Sequence, residues 1–174
     1  MNRTLTAAAI VACATLTACS SNNGSSPGAE NKSSAAASKQ TAVTARTART
    51  AMTQIAAKVP TAKQSWTVTA SNDPNHLLGR PSQYTSKVTF TDSRVNKADV
   101  ADSSKGSVDL GGAIEVFASP ADATARAKYI QTVAKSMSAL AEYDYVHGSV
   151  LVRVSHYLTP AQAAEYKTAA TKLS

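Results

Sequence analysis

The sequence predicts a small α+β domain, with a mainly antiparallel sheet of about four strands, helices packed on one face, and further helices at both ends. Three observations predict it. Short apolar-polar alternations around Trp66, Val88, Ile114 and Val152 have the period of two that half-buried strands need. Ser119-Pro120 and Thr159-Pro160 each open an alanine-rich stretch whose apolar residues recur at helical spacing. Residues 20–40 are rich in Ser, Asn, Gly and Ala with no large apolar side chain, which confines the foldable chain to a single domain over residues 41–174.

Taken in order, residues 41–59 place Ala45, Met52, Ile55, Ala56 and Val59 on one helical face, with Arg46, Arg49 and Lys58 mostly elsewhere. That stripe lacks the Trp, Phe and Leu of interfacial helices, so a helix covering the sheet is preferred to a basic helix lying on a membrane. Pro60 ends it. Residues 66–70 alternate as a strand. A short helix is then expected from Asp73: Pro74 suits its first position, Gly79 a left-handed residue after its end, and Pro81 blocks continuation. Leu77 and Leu78 would plug the core from that turn.

Residues 83–92 read as a strand with Val88 and Phe90 on one face, and the polar stretch 93–106 as a solvated loop without calcium-loop spacing. Gly111-Gly112 reads as a turn signal before a strand over 113–117, in which Ile114 and Val116 oppose Glu115 and Phe117. Ser119, Pro120 and Asp122 start a helix expected over 120–141. Ala123, Ala127, Ile130, Ala134, Met137 and Ala141 form its sheet-facing stripe, while Arg126, Lys128, Gln131 and Lys135 face mostly outward.

Residues 145–155 form the strongest strand signal, with Val146, Val150, Val152 and Val154 on one face and His147, Ser149, Leu151 and Arg153 on the other. Gly148 marks either a bulge in one strand or the turn of a hairpin. Thr159, Pro160 and Gln162 make a capping box for a closing helix that buries Tyr166, Ala169, Ala170 and Leu173. The middle of this order matches the βαββαβ plan of ferredoxin-like folds.

The N-terminus carries an address rather than a fold. Asn2-Arg3, an apolar run from Ala7 to Leu16 and the small residues Thr17-Ala18 have the parts of an export signal, and the run is too short to span a bilayer. Leu16-Thr17-Ala18-Cys19 resembles the processing signature of bacterial lipoproteins. The resemblance implies a signal peptide over residues 1–18 cut between Ala18 and Cys19, diacylglycerol on the Cys19 thiol, and attachment to the extracytoplasmic face of the cell membrane. Ile10-Val11-Ala12-Cys13 fits more loosely and would shorten the apolar run. A chain beginning at Cys19 has no second cysteine for a disulfide. Residues 19–40 then form a lipidated, disordered tether with a reach of about 25 Å.

Asp73-Pro74-Asn75, Leu77-Leu78-Gly79-Arg80-Pro81, Tyr84-Thr85-Ser86-Lys87 and Phe90 together resemble a pattern of small secreted proteins and lipoproteins of actinobacteria, over roughly residues 60–174. That resemblance implies export and no particular chemistry.

The formal charge of +7 on an exported, tethered chain points to anionic lipid or an anionic wall polymer. Lys and Arg are scattered without interleaved aromatics, which argues against nucleic acid. His76, His147 and His156 have no metal-ligand spacing, so neither a metal nor a cofactor is expected. Glu142 and Asp144 are near enough in sequence to pair, but their helix-to-strand junction gives no reason for a raised pKa. With no nucleophile elbow or phosphate loop, the sequence points to a non-catalytic binding module that contacts an envelope protein or wall polymer. Its candidate surfaces are the face bearing Tyr145, His147, Leu151 and Arg153, or the turn of Asp73, Pro74, Gly79 and Pro81. The alternative is an envelope enzyme or accessory subunit with a small-molecule site.

Overall fold

A computed structural model of the chain describes residues 46–174. The expected signal peptide, Ala18 and Cys19, and the tether lie outside the described residues. The fold is α+β, with one open, five-stranded antiparallel sheet and three helices.

Helix α1 (Ala48–Lys58) begins at Thr47, whose side chain and that of Thr50 exchange hydrogen bonds with each other's backbone N–H. It buries Ala48, Ala51, Met52 and Ile55 against the sheet, the arrangement preferred from its apolar stripe. Strand β1 (Ala62–Thr67) lies upstream of its expected position and pairs with β2 (Tyr84–Asp92).

No helix forms between them. Asp73 accepts hydrogen bonds from the backbone N–H groups of Asn75, Leu77 and Leu78, and His76 adopts φ +52, so the chain coils around one carboxylate as a series of turns. Gly79 does have the left-handed conformation, φ +77, and its N–H donates to the Tyr84 carbonyl. Leu77 and Leu78 pack into the core as expected. Without that helix the βαββαβ order is not formed; β1 and β2 are direct antiparallel neighbours.

Strand β3 (Gly111–Phe117) is central, and all seven residues are buried. Gly111 and Gly112 belong to this strand rather than to a turn. A Cβ on Gly112 would collide with the Arg153 carbonyl and the Phe90 ring, so only glycine lets the strands approach. Helix α2 (Pro120–Ser136) starts as expected, with Ser119 accepting from the Asp122 N–H, but stops earlier; a 3-10 turn (Ser138–Leu140) follows.

The segment 145–155 is a hairpin: β4 (Glu142–His147) and β5 (Val150–Ser155) are joined by Gly148-Ser149, with Gly148 at φ +54. A glycine in the first of two turn positions suits the twist of such hairpins. Helix α3 (Pro160–Ala170) closes the chain through the Thr159–Gln162 capping box. The sheet order is β1-β2-β3-β5-β4.

The helices do not share one face. Met52 and Ile55 of α1 and Tyr166 and Ala169 of α3 pack on Val88, Phe90, Ile114, Val150, Val152 and Val154. Ala123 and Ile130 of α2 pack on Tyr84, Phe117 and Leu151, whose side chains emerge from the opposite side. Tyr84 reaches that side because the β2–β3 register shifts between Tyr84 and Ser86.

Candidate functional site

The polar residues of the α2 face converge on Glu115, in the middle of the central strand and fully buried. Sheet register supplies its partners. Lys87 lies directly across on β2 and places Nζ 2.9 Å from Glu115 Oε1. Arg153, diagonal on β5, donates Nη1 to the same oxygen at 3.1 Å. From α2 above, Arg126 donates Nε to Oε2 at 3.3 Å. Burial alone would raise the Glu115 pKa, but Arg153, Lys87 and Arg126 outweigh it and hold it down at about 2.

Arg153 also donates Nε and Nη2 to the two oxygens of Glu142 at 2.7 and 2.8 Å, a bidentate pair. Asp144 sits directly opposite Arg153 on β4 and accepts from Gln131 of α2 through Oδ2, while its buried Oδ1 has no partner. Burial, followed by proximity to Glu142, pushes Asp144 up to about 7. This corrects the expectation that the junction gives no reason for a raised pKa: the hairpin turns Asp144 toward α2, where its carboxyl is buried beside Glu142.

Above the cluster, α2, the 3-10 turn after it and the start of β4 leave a groove of about 260 Å³. Arg126, Glu142 and Arg153 lie at its base, and Tyr129, Ile130 and Leu140 form apolar walls. A second hollow, about 380 Å³, opens on the other side of Arg126 and Tyr129, toward Leu77 and Gln83. Tyr129 is 62% exposed and Leu140 48%, so this rim is apolar surface in contact with solvent. A larger hollow near Asp92 offers less: both oxygens of that carboxylate are taken up by Arg94, and Tyr166 and Thr61 add hydroxyls to one of them.

The expected surface of Tyr145, His147, Leu151 and Arg153 is divided by the hairpin. His147 pairs with Val150 and Tyr145 with Val152, which puts both on the α1/α3 face; Leu151 and Arg153 point toward α2. Leu151 is fully buried and Arg153 is engaged by two glutamates, so neither offers a free surface. Asp73, Pro74, Gly79 and Pro81 lie in the run of turns before β2, but the Asp73 carboxylate is spent on the turn and on the Tyr84 hydroxyl. Burial would raise its pKa; the Tyr84 and backbone hydrogen bonds prevail and hold it at about 2.

Sequence reasoning missed Glu115 and Arg126. A glutamate in an otherwise apolar central strand was the available signal, since such a residue is buried only when paired. Among the described residues no group of His, Cys, Asp and Glu is arranged to hold a metal ion, and no helix is long and apolar enough to cross a membrane. Compared with protein-family models, curated proteins and solved structures, the chain matches none.

Proposed function

We propose that this chain is a lipid-anchored extracytoplasmic lipoprotein acting as a non-catalytic binding module at the cell envelope, with the α2 groove as its binding site. The location rests on Leu16-Thr17-Ala18-Cys19 and the signal before it. The observation that carries the binding reading is the groove itself, where apolar walls stand over a base of buried arginines.

An enzymatic reading would draw on the Glu142–Asp144 pair, since a carboxyl near 7 is poised for proton transfer. Glu142, however, has both oxygens held by Arg153, and Asp144 lies behind Gln131 rather than in the groove lining. The pair is therefore assigned to structure.

Two experiments test the proposal. Cys19→Ala should abolish lipid attachment and move the chain out of the membrane fraction; unchanged fractionation contradicts the anchor. Leu140→Asp, at an exposed rim position, should abolish retention of the envelope component that the wild-type chain captures. Equal retention by both contradicts the groove as the binding site.

A further inference from the structure

The cations at the base of the groove are not used equally. Arg153 gives three donors to Glu115 and Glu142, and Lys87 closes on Glu115 at 2.9 Å. Arg126 commits Nε alone, at 3.3 Å, although its side chain is only 12% exposed. A guanidinium has five N–H donors in a planar fork, so the four on Nη1 and Nη2 are left for an acceptor in the groove. Arg126 lines the open groove, so a ligand acceptor can replace water on these donors.

Charge points the same way. Lys87, Arg126 and Arg153 face the two carboxylates Glu115 and Glu142, which leaves one positive charge in surplus while Asp144 stays protonated, up to about pH 7. Asp109, at the other end of the groove, accepts from the hydroxyls of Ser103 and Ser107 and lies 3.9 Å from His156, but it keeps its negative charge, so the surplus is local to the Arg126 end. A single uncommitted guanidinium fork, with a carboxylate at the other end of the groove, suits a monoanion better than a phosphate dianion. The Tyr129 ring stands 5.7 Å from the Arg126 guanidinium, and Ile130 and Leu140 continue the apolar wall. A volume of about 260 Å³ falls just below that of pockets for drug-sized ligands, which fits a smaller molecule.

We propose that the α2 groove binds small amphipathic carboxylates, the acid group taken by the Nη fork of Arg126 and the apolar body lying against Tyr129, Ile130 and Leu140. This names a ligand class for the groove and rests on the groove being the binding site.

The test is a titration of the full chain, followed by amide NMR shifts, with 4-phenylbutyrate and its neutral amide at pH 6 and pH 8. The carboxylate should shift residues 126–141 saturably and bind about tenfold more tightly than the amide, the order expected of one charge-assisted hydrogen-bond pair. Its affinity should fall at pH 8. Arg126→Gln should remove the preference for the acid. Because that change also strips a partner from buried Glu115, Tyr129→Ala, at an exposed ring, is the companion variant, and should weaken binding several-fold with the fold intact. Equal affinity for acid and amide, no saturable shift, or indifference to Tyr129→Ala each overturns the proposal. If groove variants lose envelope capture while acid and amide bind alike, the ligand class falls and the site stands. If the acid binds selectively while capture ignores the groove, the envelope role falls and the ligand class stands.

Discussion

The two faces of the sheet are built from different materials. Among the described residues, the α1/α3 side gathers twenty-one buried apolar residues into one cluster, with Phe90 stacked on Tyr166 at 5.3 Å. The α2 side gathers five, and fills the rest with Lys87, Glu115, Arg126 and Arg153. Each buried Val, Leu, Ile, Phe or Met side chain on the first face contributes about 1.5–3 kcal/mol by leaving water, and each alanine less. Buried ion pairs on the second gain little over well-packed apolar replacements, because desolvation offsets their attraction. The first face therefore closes the domain, and the second holds a charged, partly open site at some cost in stability. Helix α2 shows the same division, burying Ala123 and Ile130 while Tyr129, and Met137 just past its end, stay exposed.

The sharpest ways to break this comparison act on the centre of each face. Glu115→Ala should destabilise by about 3–5 kcal/mol, because it leaves three cations facing one another without their carboxylate. A chemical denaturation midpoint close to wild type would mean that the cluster is hydrated and contributes nothing. On the apolar face, Ile55→Ala should cost toward the upper end of about 2–5 kcal/mol, and Ile130→Ala on α2 toward the lower end. Equal losses would erase the asymmetry. Gly79→Val should cost about 1 kcal/mol or more, since residue 79 holds φ +77; an unchanged melting temperature would contradict that. Met137→Ala, exposed just past the end of α2, should stay within about 0.5 kcal/mol.

The α2 face also carries two carboxyl groups with opposite responses to pH. Asp144 carries its proton in the fold up to about pH 7, but in the unfolded chain only up to its ordinary 3.8. The folded state thus binds the extra proton between those values, and its stability falls as pH rises through that window. Glu115 acts in the opposite direction: lowered from 4.5 to about 2, it stabilises above its ordinary value, and that contribution disappears as pH falls toward 2. Asp144→Asn should therefore raise the melting temperature more at pH 8 than at pH 5. The same increment at both values would show that Asp144 does not titrate in the fold.

What was legible in the sequence was the local chemistry. The Ser119-Pro120 and Thr159-Pro160 helix starts, the Tyr166–Leu173 stripe and the opposition of Ile114 to Glu115 all follow from caps and periodicity, and all are present. What was not legible depended on long-range partners. Asp73 looked like a helix cap because Pro74 and Gly79 flank it suitably, but its carboxylate is claimed by the Tyr84 hydroxyl eleven residues away. Alternation through Gly148 put His147 and Leu151 on one face; a two-residue turn reverses the parity and separates them. Arg126 looked solvent-facing on a helical wheel, and only the burial of Glu115 beneath it explains why it turns inward.

The central claim is that α2 covers a polar site while α1 and α3 close the core, and native-state hydrogen exchange tests it most directly. Amides of α2 should exchange through local opening well below the global unfolding free energy, with those of α1 and α3 protected close to the global limit. Protection of α2 equal to that of α1 and α3 would contradict the account, because it would place both faces in one uniformly closed core.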